Sequence, residues 1–123
     1  MKKAFINPPG LPNWEQTFSQ VVVITKGATK TVYLSGQVAM DQDKQLIGAN
    51  DLPLQANHAF KNLRIALASA GAGPEDVVKL TIYVKDYRFE DADCIIEAFQ
   101  GVFAQKNLPA STWLGVQSLA LEG

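Results

Sequence analysis

The stretch Pro109-Ala110-Ser111-Thr112-Trp113-Leu114-Gly115-Val116 decides how the chain is interpreted. The stretch comes directly after a segment with a helical pattern. That helix is predicted to end before Pro109, because the residue before a proline avoids the helical region. Beyond the proline, β-branched and aromatic side chains favour a strand. The stretch therefore predicts a final strand that begins with two small hydroxyl side chains, Ser111 and Thr112.

Other β-rich runs precede this one. Val21–Thr25 and Thr31–Leu34 are separated by a short polar segment with a glycine, which predicts a hairpin. Ser35-Gly36-Gln37 follows directly, and a glycine there indicates a bulge or a close approach by a ligand. Val38–Met40 is predicted to continue the strand. The run 78–84 predicts a further strand, in which Val78, Leu80, Ile82 and Val84 share one face and Lys79, Thr81 and Tyr83 the other.

Two segments have helical periodicity. Apolar residues recur at three- and four-residue spacing between Pro53 and Ala70, and glycines end that helix. A second helix is predicted from Ala92 to Phe103, with Gly101 inside it. Residues 1–13 contain several prolines, which favour a loop.

The element order predicts an α+β domain over residues 1–123, with two helices on one face of a mixed sheet. The other sheet face would carry Tyr33 and Tyr83, which are too apolar to leave open over a large area. Self-association is the simplest way to cover it.

Composition excludes several classes of function. The net charge is -1 and no basic run exists, which argues against a dedicated nucleic-acid binder. Apolar runs are too short to span a membrane, and no signal-peptide core is present. Cys94 is the one cysteine and His58 the one histidine, so neither an internal disulfide nor a zinc site is expected. A cytoplasmic location is expected.

Hydroxyl groups at strand ends are the main candidates for a binding site. Ser35 and the Ser111-Thr112 pair lie where a strand meets a loop, and such groups bind small polar ligands together with backbone amides. Ordinary structural hydroxyls at turns are the alternative. Trp14 and Phe18 either cover a core edge or form a ligand wall.

Three motifs together resemble the Rid family, also called YjgF or L-PSP type: Tyr33–Val38, Val78–Asp86 and Pro109–Thr112. The resemblance covers nearly the whole chain in the right order. It implies a chorismate-mutase-like fold, a homotrimer and ligand clefts between subunits. It also implies hydrolysis of reactive imines and enamines without a cofactor or metal.

The chain departs from the family at several positions. The family's arginine, which holds a substrate carboxylate in a bidentate pair, is replaced by Ser111, which lacks the charge. Phe18 replaces a tyrosine, and Trp113 a cysteine. Asp93 or Cys94 occupies the place of an asparagine. A final family strand, which carries a glutamate, is absent from the printed sequence.

Two main hypotheses follow. The first is a Rid-like trimer with a ligand site of Phe18, Ser35, Ser111, Thr112 and Trp113 between subunits, which hydrolyses an imine, an enamine or a related compound by residues not yet identified. The second is a trimer that binds a small molecule without catalysis. Endoribonuclease action, which the family name suggests, is disfavoured by the near-neutral charge.

Overall fold

A computed structural model describes residues 1–123. Its strands are β1 (Lys2–Ile6), β2 (Val21–Lys26), β3 (Thr29–Leu34), β4 (Lys79–Lys85) and β5 (Ala110–Val116), and its helices are α1 (Leu52–Ser69) and α2 (Ala92–Gln100). Short 3₁₀ turns at Pro74–Asp76 and Phe89–Asp91 precede β4 and α2. No helix has the length and apolarity needed to cross a bilayer.

The first three strands form an antiparallel sheet in the order β1-β2-β3. β2 and β3 form the predicted hairpin, with Lys26 opposite Thr29 and with Gly27 at a φ of 60° in the turn. A left-handed conformation of this kind suits glycine, which has no Cβ to clash.

Strand β1 was not predicted, and residues 1–13 are therefore not wholly a loop. Lys2 to Ile6 pair with Thr25 to Val21 along the edge of the sheet. Only Ile6 of this strand is even partly buried. This short, exposed edge strand contains two lysines and has no apolar alternation, so periodicity does not predict it. The prolines that follow it favour a loop.

Strands β4 and β5 pair in parallel, and α2 lies in the connection between them. Parallel neighbours require such a crossover, which the helix supplies. The fold therefore combines antiparallel and parallel pairs with two helices, and the expected α+β class is confirmed.

Helix α1 packs on both sheets through two different parts of its surface. Ala66 and Ala70 join a cluster with Leu11, Val21 and Val23 beneath the antiparallel sheet. Phe60 joins a second cluster with Ala98 and Phe99 of α2 and with Phe103 of the turn after α2. Leu80 and Ile82 of β4 pack against this cluster. The core thus follows α1 across both sheets.

Three boundaries differ from the sequence prediction. β3 ends at Leu34, so Val38–Met40 is not a strand. Instead, the Asn62 amide of α1 donates to the carbonyls of Val38 (2.8 Å) and Met40 (2.9 Å), which draws this segment away from the sheet.

Helix α2 ends at Gln100, and Gly101 is its C-terminal cap rather than an interior residue. Val78 lies outside β4 and is 82% exposed, not on its buried face.

One face of the strands points away from the helices, and we call it the open face. Phe5, Val22 and Tyr33 form one cross-strand row on it, and Lys79, Thr81 and Tyr83 lie on the open face of β4. Phe5, Tyr33 and Tyr83 are 65%, 58% and 55% exposed. The expectation that Tyr33 and Tyr83 lie on an uncovered face is confirmed for the single chain.

Candidate functional site

Ser35 and Phe18 lie close together at the end of the hairpin. The Ser35 hydroxyl donates to the carbonyl of Ser19 at 2.6 Å, and its backbone N–H donates to the carbonyl of Gln20 at 2.9 Å. The segment next to Phe18 is therefore fixed against Ser35. Because the hydroxyl proton is already used, the Ser35 oxygen has only acceptor capacity left for a ligand.

Phe18 belongs to an aromatic pair with Trp14. The two ring centroids are 6.4 Å apart with an interplanar angle of 28°, and Phe18 is 38% exposed. The ammonium of Lys44 lies 4.4 Å from the centre of the Trp14 ring, in cation–π geometry. The pair is thus a partly open aromatic surface, suited either to a ligand or to a second subunit.

Two glutamines, the buried Gln20 and the partly buried Gln37, hold this region in place, and no periodicity in the sequence predicts their contact. Gln20 is 3% exposed; its amide donates to the Pro12 carbonyl at 2.9 Å and accepts from Gln37 at 2.9 Å. The Gln20 backbone N–H donates to the side-chain oxygen of Asn7 at 3.0 Å. The N-terminal loop and the segment after β3 are thereby joined around Ser35.

The other three predicted site residues lie on β5, and the register divides them between two faces. Ser111 is opposite Leu80 and Trp113 is opposite Ile82, so both share the face that packs toward the helices. Thr112 is opposite Thr81 and lies on the open face. Trp113 is half-buried, whereas Ser111 and Thr112 are exposed.

Thr112 has one side-chain partner, Lys79. The Lys79 ammonium donates to the Thr112 hydroxyl oxygen at 2.8 Å and to the Leu80 carbonyl at 3.1 Å. The strand alternation correctly predicted the orientation of Lys79 but not its contact with Thr112. This contact depends on the parallel register of β4 and β5, which periodicity alone does not specify.

Within one chain, no side-chain hydrogen bond joins the Phe18–Ser35 pair to the β5 residues. Two clefts, of about 260 and 630 Å³, are lined by none of the five predicted residues. The smaller is a polar cleft beside His58, Asp41 and Asp43. The larger lies between the end of α1 and the loop before β5, beside Arg64 and Phe103. The five-residue site thus stays a prediction.

Cys94 is half-buried at the start of α2, and its thiol donates to the Asp91 carbonyl at 3.2 Å. Burial and then the nearby Asp91 carboxylate raise the pKa of the Cys94 thiol. A protonated thiol is a poor nucleophile, so the Cys94 environment favours a structural role. No group of three or more metal-ligating side chains is present.

The sequence matches the family described as Endoribonuclease L-PSP over residues 11–123. The chain belongs to the Rid (YjgF/L-PSP) family. This Rid-family chain is 31% identical over 117 residues to a protein of Dermatophagoides farinae named 2-iminobutanoate/2-iminopropanoate deaminase, covering 95% of this chain and 86% of the relative. A protein of Rattus norvegicus with the same name is 32% identical over 102 residues, covering 83% of this chain and 69% of that one.

Solved structures have the same fold. The Rid-family protein YyfA of Yersinia pestis has a TM-score of 0.83 at 24% identity, covering 97% of this chain and 90% of that one. RidA from an Antarctic Psychrobacter has a TM-score of 0.78 at 27% identity, covering 95% and 89%. The Rid-family fold is thereby established for this chain.

Proposed function

We propose that this Rid-family chain forms a homotrimer that binds a small molecule in clefts between subunits and hydrolyses an imine, an enamine or a related reactive compound. The observation that carries the proposal is the similarity to proteins named imine deaminases, which extends over 95% of the chain in one case. The ligand cleft would be formed by Phe18, Ser35, Ser111, Thr112 and Trp113.

A second subunit would complete the site. Phe18 and Ser35 lie beside the antiparallel sheet, and the other three residues lie on the parallel pair. The open face between subunits carries Phe5, Tyr33 and Tyr83, whose exposure in the monomer is costly. Covering that face would then bring a second subunit next to Thr112, which lies on it.

Hydrolysis in such a cleft needs water as the nucleophile. Water adds to the carbon of the C=N bond, and the nitrogen leaves as ammonia while a carbonyl forms. Ser35 has acceptor capacity to orient that water. Ser111 is neutral, so it offers the carboxylate of an imino acid no ion pair.

Ammonia release from 2-iminobutanoate, generated in situ by an amino-acid oxidase, tests the reaction. We expect slow or no turnover by the native chain, and faster turnover by Ser111→Arg, which restores a bidentate partner. Rapid turnover by the native chain would show that the replacement of the family arginine by Ser111 does not limit the hydrolysis of imino acids. Sedimentation tests the assembly, and a folded monomer at working concentrations would overturn the intersubunit site.

The alternative is a trimer that binds a small molecule without catalysis. The replacement of the family arginine by Ser111 favours it, since it removes a fixed positive charge from the site. Turnover on a wider panel of imines and carbonyl compounds, lost in Ser111→Ala, would contradict this alternative.

A further inference from the structure

The charges of the molecule are unevenly divided between its strands and the rest of the chain. The five strands contain six lysines and not one aspartate or glutamate. All 12 acidic residues therefore lie in helices, turns and loops, although the net charge is only -1. The strand layer is locally cationic in a nearly neutral protein.

Lysines on the open face have no acidic partner. The one ion pair in the structure joins Arg88 to Glu90, at 3.8 Å, and both side chains are largely exposed. No carboxylate lies within ion-pair distance of Lys79. If a second copy covers the open face, its strands bring further lysines and no acid. The charge on Lys79 would then need an anion from elsewhere.

Lys79 and Thr112 together present two unused hydrogen-bond donors. A lysine ammonium has three N–H donors, and Lys79 directs two of them to the Thr112 hydroxyl oxygen and to the Leu80 carbonyl. The third is free. Because the Thr112 oxygen accepts from Lys79, its own hydroxyl proton is free to point outward. One N–H and one O–H are thus available 2.8 Å apart, measured between their heavy atoms.

We infer that Lys79 and Thr112 form a binding point for the carboxylate of a small organic acid on the open face. One carboxylate oxygen accepts from the ammonium and the other from the hydroxyl, while the charge is neutralised by Lys79. Tyr83 and Leu114, opposite each other further along the two strands, offer an apolar surface to the rest of the ligand. The anion-binding role that Ser111 cannot fill is thereby assigned to the opposite face of the same strand.

This inference specifies the ligand class of the proposed function and rests on it for the ligand being a small molecule. Lys85 is the matched control, since it lies on the same face at the other end of β4, is exposed and has no side-chain hydrogen bond. The carboxylate probe is 2-oxobutanoate, and 2-oxobutanamide, which is uncharged, is the matched probe.

The experiment follows the backbone amide shifts of the full chain by NMR while each probe is added. We expect 2-oxobutanoate to shift the amides of β4 and β5. Lys79→Met should weaken binding about tenfold or more, since charged hydrogen bonds contribute about 1.5–3 kcal/mol. Thr112→Val should weaken it several-fold, while Lys85→Met stays within twofold of the native chain. The native chain should bind 2-oxobutanamide no more tightly than Lys79→Met binds 2-oxobutanoate.

Equal binding by the native chain and Lys79→Met, or no binding of 2-oxobutanoate, would overturn the inference. So would loss of self-association in Lys79→Met without any added acid, because Lys79 would then stabilise the contact between subunits rather than bind an acid. Ammonia release from 2-iminobutanoate, measured on the same preparations, reports separately on the proposed hydrolysis. Turnover with unchanged probe binding in Lys79→Met would refute this binding point and leave the hydrolytic function standing.

Discussion

The side-chain amide of Gln37 donates a 2.9 Å hydrogen bond to the amide oxygen of Gln20, which is 3% exposed. Gln37 also donates to the Ser35 carbonyl at 3.1 Å, and Gln20 donates to the Pro12 carbonyl. Two neutral amides therefore fix the loop that carries Phe18 and the segment that carries Ser35. Buried polar groups of this kind stabilise a structure only while every partner is present.

Replacing Gln20 by leucine should destabilise the fold by about 1–3 kcal/mol, because the Gln37 amide and the Pro12 carbonyl lose a buried partner. Urea unfolding followed by circular dichroism measures the change. Gln16→Leu is the control, since Gln16 is exposed and has no side-chain hydrogen bond, and it should stay within about 0.5 kcal/mol of the native chain. Equal stability of the two variants would contradict a structural role for Gln20.

The sequence predicted the elements that bury a periodic apolar surface. The hairpin, α1 and β4 each have a clear alternation or helical spacing, and each lies against a core cluster. Strand β1 was missed because its residues are held by backbone pairing at a sheet edge, which periodicity does not report. The predicted strand extended too far beyond Leu34, because Asn62, which is far away in sequence, donates hydrogen bonds to the carbonyls of Val38 and Met40.

Ser35, Ser111 and Thr112 were predicted from hydroxyl groups at strand ends, and Phe18 and Trp113 were added from the family resemblance. Neither argument specifies contacts between residues that are distant in sequence. Ser35 lies near Phe18 because it donates hydrogen bonds to the carbonyls of Ser19 and Gln20, which directly follow Phe18 in the chain. The placement of Thr112 beside Lys79 depends on parallel pairing between residues 33 positions apart. A single sequence specifies the alternation within each strand but not the register between two strands.

Lys30 connects the hairpin to α1, and its removal should cost stability. Its ammonium donates to the Ala70 carbonyl at the C-terminal end of α1, at 2.6 Å. A cation there interacts favourably with the helix dipole and satisfies a free carbonyl, so Lys30→Met should destabilise the fold by about 0.3–1 kcal/mol. The measurement is urea unfolding at low and high salt, and the loss should shrink as salt screens the charge.

Lys26→Met is the control for Lys30, because Lys26 is an exposed lysine of the same hairpin with no side-chain hydrogen bond. We expect no salt-dependent loss in that variant. A loss of similar size in both variants would mean that hairpin charge, rather than the contact with α1, accounts for the effect.

Gly115 has no room for a side chain. A Cβ at this position would lie 2.9 Å from the Cβ of Tyr87, a distance that forces one of the two residues to move. Gly115→Ala should therefore destabilise the fold by about 1–3 kcal/mol, as overpacking does elsewhere. Gly36→Ala is the control, since nothing lies within 4 Å of a Cβ built there. A thermal shift of equal size in the two variants would contradict the close approach of Gly115 and Tyr87.

The Cys94 thiol should react slowly at neutral pH. Burial, followed by the Asp91 carboxylate, raises its pKa, so a smaller fraction is thiolate than in an unfolded chain. Alkylation by iodoacetamide in the folded protein should therefore reach half its maximal rate at a higher pH than in urea. Asp91→Asn should move this profile to lower pH, because it removes the second cause.

The same shift makes a small contribution to stability with a defined sign. Because the folded pKa lies above the unfolded one, the contribution is present below the unfolded pKa and is lost as the pH rises through the folded pKa. Cys94→Ser should remove this alkaline component of the pH dependence. Alkylation profiles that coincide in folded and unfolded chains would contradict the raised pKa.

Tyr83 should be required for self-association if the open face is the subunit interface. It is 55% exposed in the single chain, lies opposite Leu114 and shares the face with Tyr33. A glutamate at this position would place an unpaired charge in an apolar contact, so Tyr83→Glu should shift the protein toward monomer in sedimentation velocity. Phe89→Glu is the control, because Phe89 is 92% exposed in the turn before α2 and lies outside the strands. Circular dichroism separates dissociation from unfolding, and an unchanged sedimentation coefficient for a folded Tyr83→Glu variant would place the interface elsewhere.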